Sequence, residues 1–136
     1  MYGMKPEFTI TLAFNPSMTH VLMCHHKKFG KLNFLGGHIN PKESSIDASY
    51  RELEEESGIT RNDIDLKFVR EEYVESVASG SFSLYITAGV LNKEVQVISE
   101  VNPLEWIDIN DTSKFLNAMG YGNCYNFLME SLEALK

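Results

Sequence analysis

Four of the five positions from 52 to 56 are glutamate, in the run Arg51-Glu52-Leu53-Glu54-Glu55-Glu56-Ser57-Gly58. Wound as a helix at about 100° per residue, Glu52, Glu55 and Glu56 fall within about 100° of one another on one face. Ile46, Ser49, Tyr50 and Leu53 fall on the other side and are expected against a sheet. Like charges spaced i,i+3 and i,i+4 oppose a helix by a few tenths of a kcal/mol per pair, a repulsion that a bound cation relieves. Three carboxylates are hard oxygen donors, and with phosphate oxygens as the remaining partners they suit Mg²⁺ or Mn²⁺. Ions held there would neutralise charge on phosphate oxygens and position a water, and a carboxylate could take its proton. Ala48, one turn before Glu52, is expected to leave room on the acidic side for a substrate or a metal-bound water. The plainer reading of a glutamate-rich helix is a solvated face, and composition alone favours it.

The elements that must position this helix are legible around it. Ser44 is a good N-cap with Asp47 three residues on, and Gly58 is a natural left-handed terminator. Upstream, Phe8, Ile10, Leu12 and Phe14 alternate with Thr9, Thr11 and Ala13, a period-two strand ended by Asn15-Pro16-Ser17. Residues 21–24 read as a more buried second strand and 27–31 as a hairpin turn. Residues 32–35 then run into Gly36-Gly37, where backbone can approach a ligand closely. Downstream, strands are expected at 66–73, 82–91 and 95–98, with 104–109 extended. Cys124, Phe127, Leu128, Ser131 and Leu135 recur at helical spacing near the C-terminus, with Asn123 as cap. A mixed sheet with two or so helices is an α/β sandwich.

With 136 residues the chain is expected to be one domain, 1–136. Apolar residues make up 43% and charged residues 23%, an ordinary globular balance. Twelve basic against nineteen acidic side chains give a net charge of −7, which argues against a surface built for duplex nucleic acid. A phosphorylated ligand is still admitted, because a divalent metal reverses the local sign. No apolar run approaches the roughly 20 residues of a membrane helix, and the N-terminal residues lack secretory order. Cys24 and Cys124 form no CxxC and are expected as reduced, buried thiols. A cytoplasmic protein, monomer or homodimer, without membrane partners, is the expectation.

The spacing of the acidic segment carries more than its composition. Gly37, Glu43, Arg51, Glu52, Leu53, Glu55, Glu56, Gly58 and Ile59 fill every fixed position of the pattern GX5EX7REUXEEXGU, U being apolar. By this motif, over residues 37–59, the chain resembles the Nudix hydrolases, and among them the MutT-like nucleoside triphosphate pyrophosphohydrolases. The resemblance implies an α/β/α sandwich with a mixed sheet, in which the motif forms a catalytic loop–helix–loop. It implies hydrolysis, with Mg²⁺ or Mn²⁺, of a nucleoside diphosphate linked to another group; a triphosphate yields the monophosphate and pyrophosphate. It further implies metal ligation by Glu52, Glu55 and Glu56, with Glu52 either a ligand or the general base, and by the carbonyl of Gly36. Arg51, counted with the catalytic residues, and Glu43 are expected to brace the loop against the helix, with Gly37, Leu53 and Gly58 structural. Glu54 falls on the unspecified position and is expected in solvent. An outlying glutamate often completes such a site: Glu100 is the candidate, with Glu71, Glu72 and Glu75 as rivals.

The residues before the motif bear on the substrate. The chain reads Leu32-Asn33-Phe34-Leu35-Gly36-Gly37 where animal oxidised-purine triphosphatases read W-N-G-F-G-G. Asn33 matches the asparagine that contacts the base in those enzymes, and an amide offers the donor and acceptor that a purine edge requires. The resemblance therefore extends to oxidised purines such as 8-oxo-dGTP; a strand-end or turn role for Asn33 stands beside it. Gly37 and His38 are further substrate-binding candidates. Lys27, Lys28 and Lys31 form either a triphosphate-holding cluster or a solvated turn. Trp106, the only tryptophan, is expected to pack rather than to serve as a base platform. Two other readings keep the fold: hydrolysis of ADP-ribose, a dinucleoside polyphosphate or a nucleotide sugar, and a non-catalytic nucleotide-sensing module.

Overall fold

The computed structural model describes residues 6–26, 31–75, 80–97, 102–118 and 124–136. Among the described residues, six strands and three helices follow one another as β1 (Glu7–Phe14), β2 (His20–His26), β3 (Lys31–His38), α1 (Ser45–Ser57), β4 (Lys67–Val74), β5 (Phe82–Val90), β6 (Leu104–Asp108), α2 (Thr112–Leu116) and α3 (Cys124–Ala134). The strands form one mixed sheet in the order β4-β5-β1-β3-β2-β6. β1 runs parallel to β5 and antiparallel to β3.

Strand alternation sorts the core onto two faces. Ile10, Leu12 and Phe14 of β1 join Met23, Phe34, Leu84 and Ile86 on one face, under Phe115 of α2 and Phe127 and Leu128 of α3. Ala13, Leu22, Cys24 and Leu35 lie on the other, against Tyr50 and Leu53 of α1. The result is the α/β/α sandwich expected from the sequence. β1 is buried on both faces, because Thr9 and Thr11 are covered as completely as the apolar residues between them. Among the described residues, no helix is long and apolar enough to cross a membrane.

Several local expectations are revised. Residues 95–97 form no strand, and residue 98 lies outside the described residues. Val95 and Val97 nevertheless rest on the α1-side core, so their alternation marks burial without strand pairing. The short α2 has Phe115 as its single buried residue, too little periodicity to read. Ala48 opens no space beside the acidic face, since it is fully buried. The turn expected at 27–31 falls largely outside the described residues, as does the cap Asn123. Cys24 and Cys124 are buried and form no disulfide, and burial pushes both thiols up to about 11.

Candidate active site

α1 is delimited as its sequence requires. The Ser44 side chain accepts from the Asp47 N–H at 3.1 Å, and Gly58, at φ 81°, donates to the Glu54 carbonyl. Between the caps, Leu53 and Tyr50 bury against the sheet while Glu54 and Glu55 stand exposed. Glu52 and Glu56 are half-buried, because they lean over the end of β3. There the Gly36 N–H donates to Glu56 Oε1 at 3.0 Å. The Glu52 carboxylate packs so close to Gly37 that a Cβ on Gly37 would come within 2.5 Å of it. Gly36 is equally constrained, since a Cβ there would lie 2.0 Å from the Thr9 carbonyl oxygen. Both glycines are fixed by close approach, one to backbone and one to a carboxylate.

A carboxylate cluster with little water must either take up protons or find cations. Burial first, then the neighbouring Glu52, push the Glu56 carboxyl up to about 7, against the Gly36 N–H. Burial likewise raises Glu52, opposed by the Arg51 guanidinium. Arg51 Nη1 lies 3.1 Å from Glu52 and 3.3 Å from Glu55, so it is the cation that bridges these two. Glu56 has no ion-pair partner among the described residues. A hard divalent cation fits this donor set, which is all oxygen, anionic and only partly neutralised. Among the described residues, no three acidic, histidine or cysteine side chains already converge on one point. Glu55 is 58% exposed at its side chain, far more open than the 16% of Glu52.

The loop before α1 is tied down by one ion pair. Arg51 Nε and Nη2 donate to the two Glu43 oxygens at 2.8 and 2.9 Å, and Nη2 also donates to the His38 carbonyl at 3.0 Å. Glu43 Oε1 in turn accepts the Asn40 N–H. The bracing role expected of Arg51 and Glu43 has this geometry. The two-bond fork, charge-assisted throughout, holds the Glu43 carboxyl down to about 2 and raises Arg51 above its usual value. A carboxyl with a depressed folded pKa stabilises the native state above its unfolded value of about 4.3, and that contribution is lost as pH falls toward 2. The melting-temperature gap between wild type and Glu43→Gln is therefore expected to be constant above pH 6 and to close between about pH 5 and 2. A gap independent of pH would contradict the assignment.

The model of the NUDIX domain family matches residues 5–126. The chain belongs to the Nudix family. At 26% identity over 124 residues it is similar to the mRNA-decapping enzyme subunit 2 of Saccharomyces cerevisiae, a match covering 88% of this chain and 12% of the length of that relative. Its fold is similar to that of the E. coli dihydroneopterin triphosphate pyrophosphohydrolase, with TM-score 0.78, 14% identity, and 93% and 95% of the two chains covered. It is also similar to the C. elegans Ap4A hydrolase, with TM-score 0.74, 19% identity, and coverage of 96% and 98%.

The other candidates disperse around the Nudix helix. Asn33 sits on β3 opposite Cys24 and lines, with Phe34, Gly36, Gly37 and His38, a cavity of about 190 Å³. The His38 ring packs 4.4 Å from the Phe8 ring. Trp106 pairs with Leu22 and rests, partly buried, on the α1-side core. Lys31 lies near His25 and Lys114 on the far face. Glu100, Lys27 and Lys28 lie outside the described residues; Glu72, on β4, is held by Arg70 at 2.9 Å. A second cavity of about 190 Å³, lined by Cys24, Glu55, Glu56, Asn102 and Leu104, opens directly beside the Nudix carboxylates. Sequence reasoning passed over Cys24, Asn102 and Leu104; the available signal was that Cys24 and Asn33 fall on adjacent strands beside the same helix. A broad groove of about 710 Å³ runs along the outer side of the helix past Tyr50, Arg51, Glu55 and Arg61.

Proposed function

We propose that this Nudix domain is a divalent-metal-dependent pyrophosphohydrolase of nucleoside triphosphates, releasing a monophosphate and pyrophosphate. The observation that carries the proposal is the placement of Glu52 and Glu56 against the Gly36–Gly37 backbone, with Glu55 one turn from Glu52. Glu52, Glu55 and Glu56, with the Gly36 carbonyl, are the residues that would hold Mg²⁺ or Mn²⁺. When bound, the ion neutralises phosphate oxygens and lowers the pKa of water. The chain supplies the rest. Burial raises the proton affinity of both Glu52 and Glu56, with Glu56 pushed up to about 7, which suits a carboxylate of this pair to accept a proton from water. Arg51 holds the entry loop and keeps its guanidinium between Glu52 and Glu55. The cavities beside Asn33 and beside Cys24 and Asn102 are the places for a nucleoside, and an amide at Asn33 supports a purine, including an oxidised one.

A second reading, a substrate in which the diphosphate joins two larger groups, draws support from the decapping and Ap4A-hydrolysing relatives. The open groove beside Glu55 and Arg51 offers room for a second moiety. Phosphorus NMR of a Mg²⁺-supplemented panel separates the readings. Nucleoside and 8-oxo-nucleoside triphosphates are expected to yield pyrophosphate and a monophosphate. Turnover confined to dinucleoside polyphosphates, ADP-ribose or nucleotide sugars would favour the second reading, and no Mg²⁺-dependent turnover of any member would refute both.

A further inference from the structure

Beneath α1 the sheet presents hydroxyls where a buried strand ordinarily presents aliphatic carbon. Thr9 and Thr11 of β1, Thr87 of β5 and Ser49 of α1 are each at most 1% exposed. Ser49 Oγ lies 2.5 Å from Thr9 Oγ1 and 3.0 Å from Thr87 Oγ1, and it donates to the Ser45 carbonyl at 2.8 Å. Thr11 Oγ1 lies 3.2 Å from Thr87 Oγ1. One assignment houses every hydrogen: Thr11 donates to Thr87, Thr87 and Thr9 donate to Ser49, and Ser49 donates to Ser45. Each hydroxyl has one hydrogen and two lone pairs, so Ser49 is then saturated. Buried polar clusters of this kind contribute little net stability relative to apolar side chains of the same shape. Direction is what they add, because a hydrogen bond weakens steeply with distance and angle while apolar contact does not.

We propose that the hydroxyl cluster centred on Ser49 is a positioning device for the metal site: it sets the rotation and axial register of α1 on the sheet, and thereby the placement of Glu52 and Glu56. The inference rests on the metal-binding reading above. Glu56 follows Ser49 by seven residues, so the two lie on nearly the same line of the helix, about 10 Å apart, and Ser49 borders the acidic face rather than standing on the side opposite it as expected from the sequence. One end of that line is pinned to Thr9 and Thr87, the other to the Gly36 N–H. The pins share a foundation. Thr9 is the cross-strand partner of Gly37, which touches Glu52, and Ile10 is the partner of Gly36. The Ile10 carbonyl also lies 3.2 Å from the Thr87 hydroxyl. Without the hydroxyl pin, α1 keeps directional contacts to the flanking segments, where Tyr50 Oη accepts the Leu66 N–H at 2.8 Å and Arg51 donates to Glu43 and the His38 carbonyl. At its N-terminal half, however, it loses those to β1 and β5 and pivots about Gly36, carrying Glu52 off Gly37.

Ser49→Ala tests this cleanly. The hydrogens it frees have other acceptors, since Thr9 lies 3.2 Å from the Tyr85 carbonyl and Thr87 3.2 Å from that of Ile10. Alanine is also the better helix former. Mn²⁺ affinity is read by electron paramagnetic resonance on wild type, Ser49→Ala, the independent pair Thr11→Val/Thr87→Val, and Ile86→Val, whose side chain is buried on the opposite face of β5. Ser49→Ala and the double variant are expected to melt close to wild type yet bind Mn²⁺ about tenfold more weakly, the scale of lost outer-shell support. Ile86→Val is expected to melt lower and bind Mn²⁺ as wild type does. Wild-type affinity in Ser49→Ala and the double variant overturns the positioning role and leaves the metal site standing. Affinity that simply tracks melting temperature across all variants also overturns it. Absence of Mn²⁺ binding by wild type overturns the metal site and this inference together.

Discussion

Glu56→Gln is expected to lower Mg²⁺-dependent turnover by about 10²–10⁴-fold, the range for loss of a proton acceptor or of comparable charge chemistry. Its melting temperature without metal is expected to equal or exceed that of wild type. The amide oxygen keeps the Gly36 N–H bond, while the substitution removes a half-buried charge that Glu52 already repels. The two readouts therefore move in opposite senses, the signature of a residue kept for chemistry at the expense of stability. Steady-state turnover and calorimetry on the same preparation check both. Unchanged turnover in Glu56→Gln would remove this carboxylate from the site.

Two adjacent glycines are expected to respond in different ways to the same methyl group. In Gly36→Ala the new Cβ meets the Thr9 carbonyl oxygen at 2.0 Å and the Ile10 Cα at 3.0 Å. Both belong to the neighbouring backbone and cannot step aside, so β1 and β3 must separate at the centre of the sheet. Overpacking of this kind costs about 3 kcal/mol, which is about a 10 °C fall in melting temperature for a chain of this size. In Gly37→Ala the Cβ meets only the Glu52 carboxylate, at 2.5–2.8 Å. That group ends a flexible side chain and moves away, so the fold survives while a carboxylate of the site is displaced by an ångström or so. Turnover is then expected to fall about 10²-fold with little loss of melting temperature. Equal melting temperatures for Gly36→Ala and wild type would show that the strands tolerate the separation.

The helix and its caps were legible in the sequence because each rests on local chemistry. Ser44, Asp47 and Gly58 act within a turn of themselves, and the motif spacing from Gly37 to Ile59 is carried by one loop and one helix. The site beyond that segment was less legible. Ala48 looked like open space on the acidic side and is buried, because helical angle does not say how far the neighbouring sheet wraps around. Thr9 and Thr11 alternate with the apolar residues of β1, a pattern that does not by itself say that both faces are covered. They are core, since β1 is flanked on both edges and α1 covers the second face. The hydroxyl cluster joins residues 9, 49 and 87, a non-local contact with no period to announce it. Val95 and Val97 alternated as a strand does, yet alternation reports which side chains are buried and not whether a backbone partner is there.

The most direct test is anomalous diffraction from crystals soaked in Mn²⁺ with a non-hydrolysable nucleoside triphosphate. The expected result is manganese density bounded by the Glu52, Glu55 and Glu56 carboxylates and the Gly36 carbonyl, with phosphate oxygens completing the shell. Ordered nucleotide with no manganese against those carboxylates, or manganese bound elsewhere on this acidic surface, would contradict it.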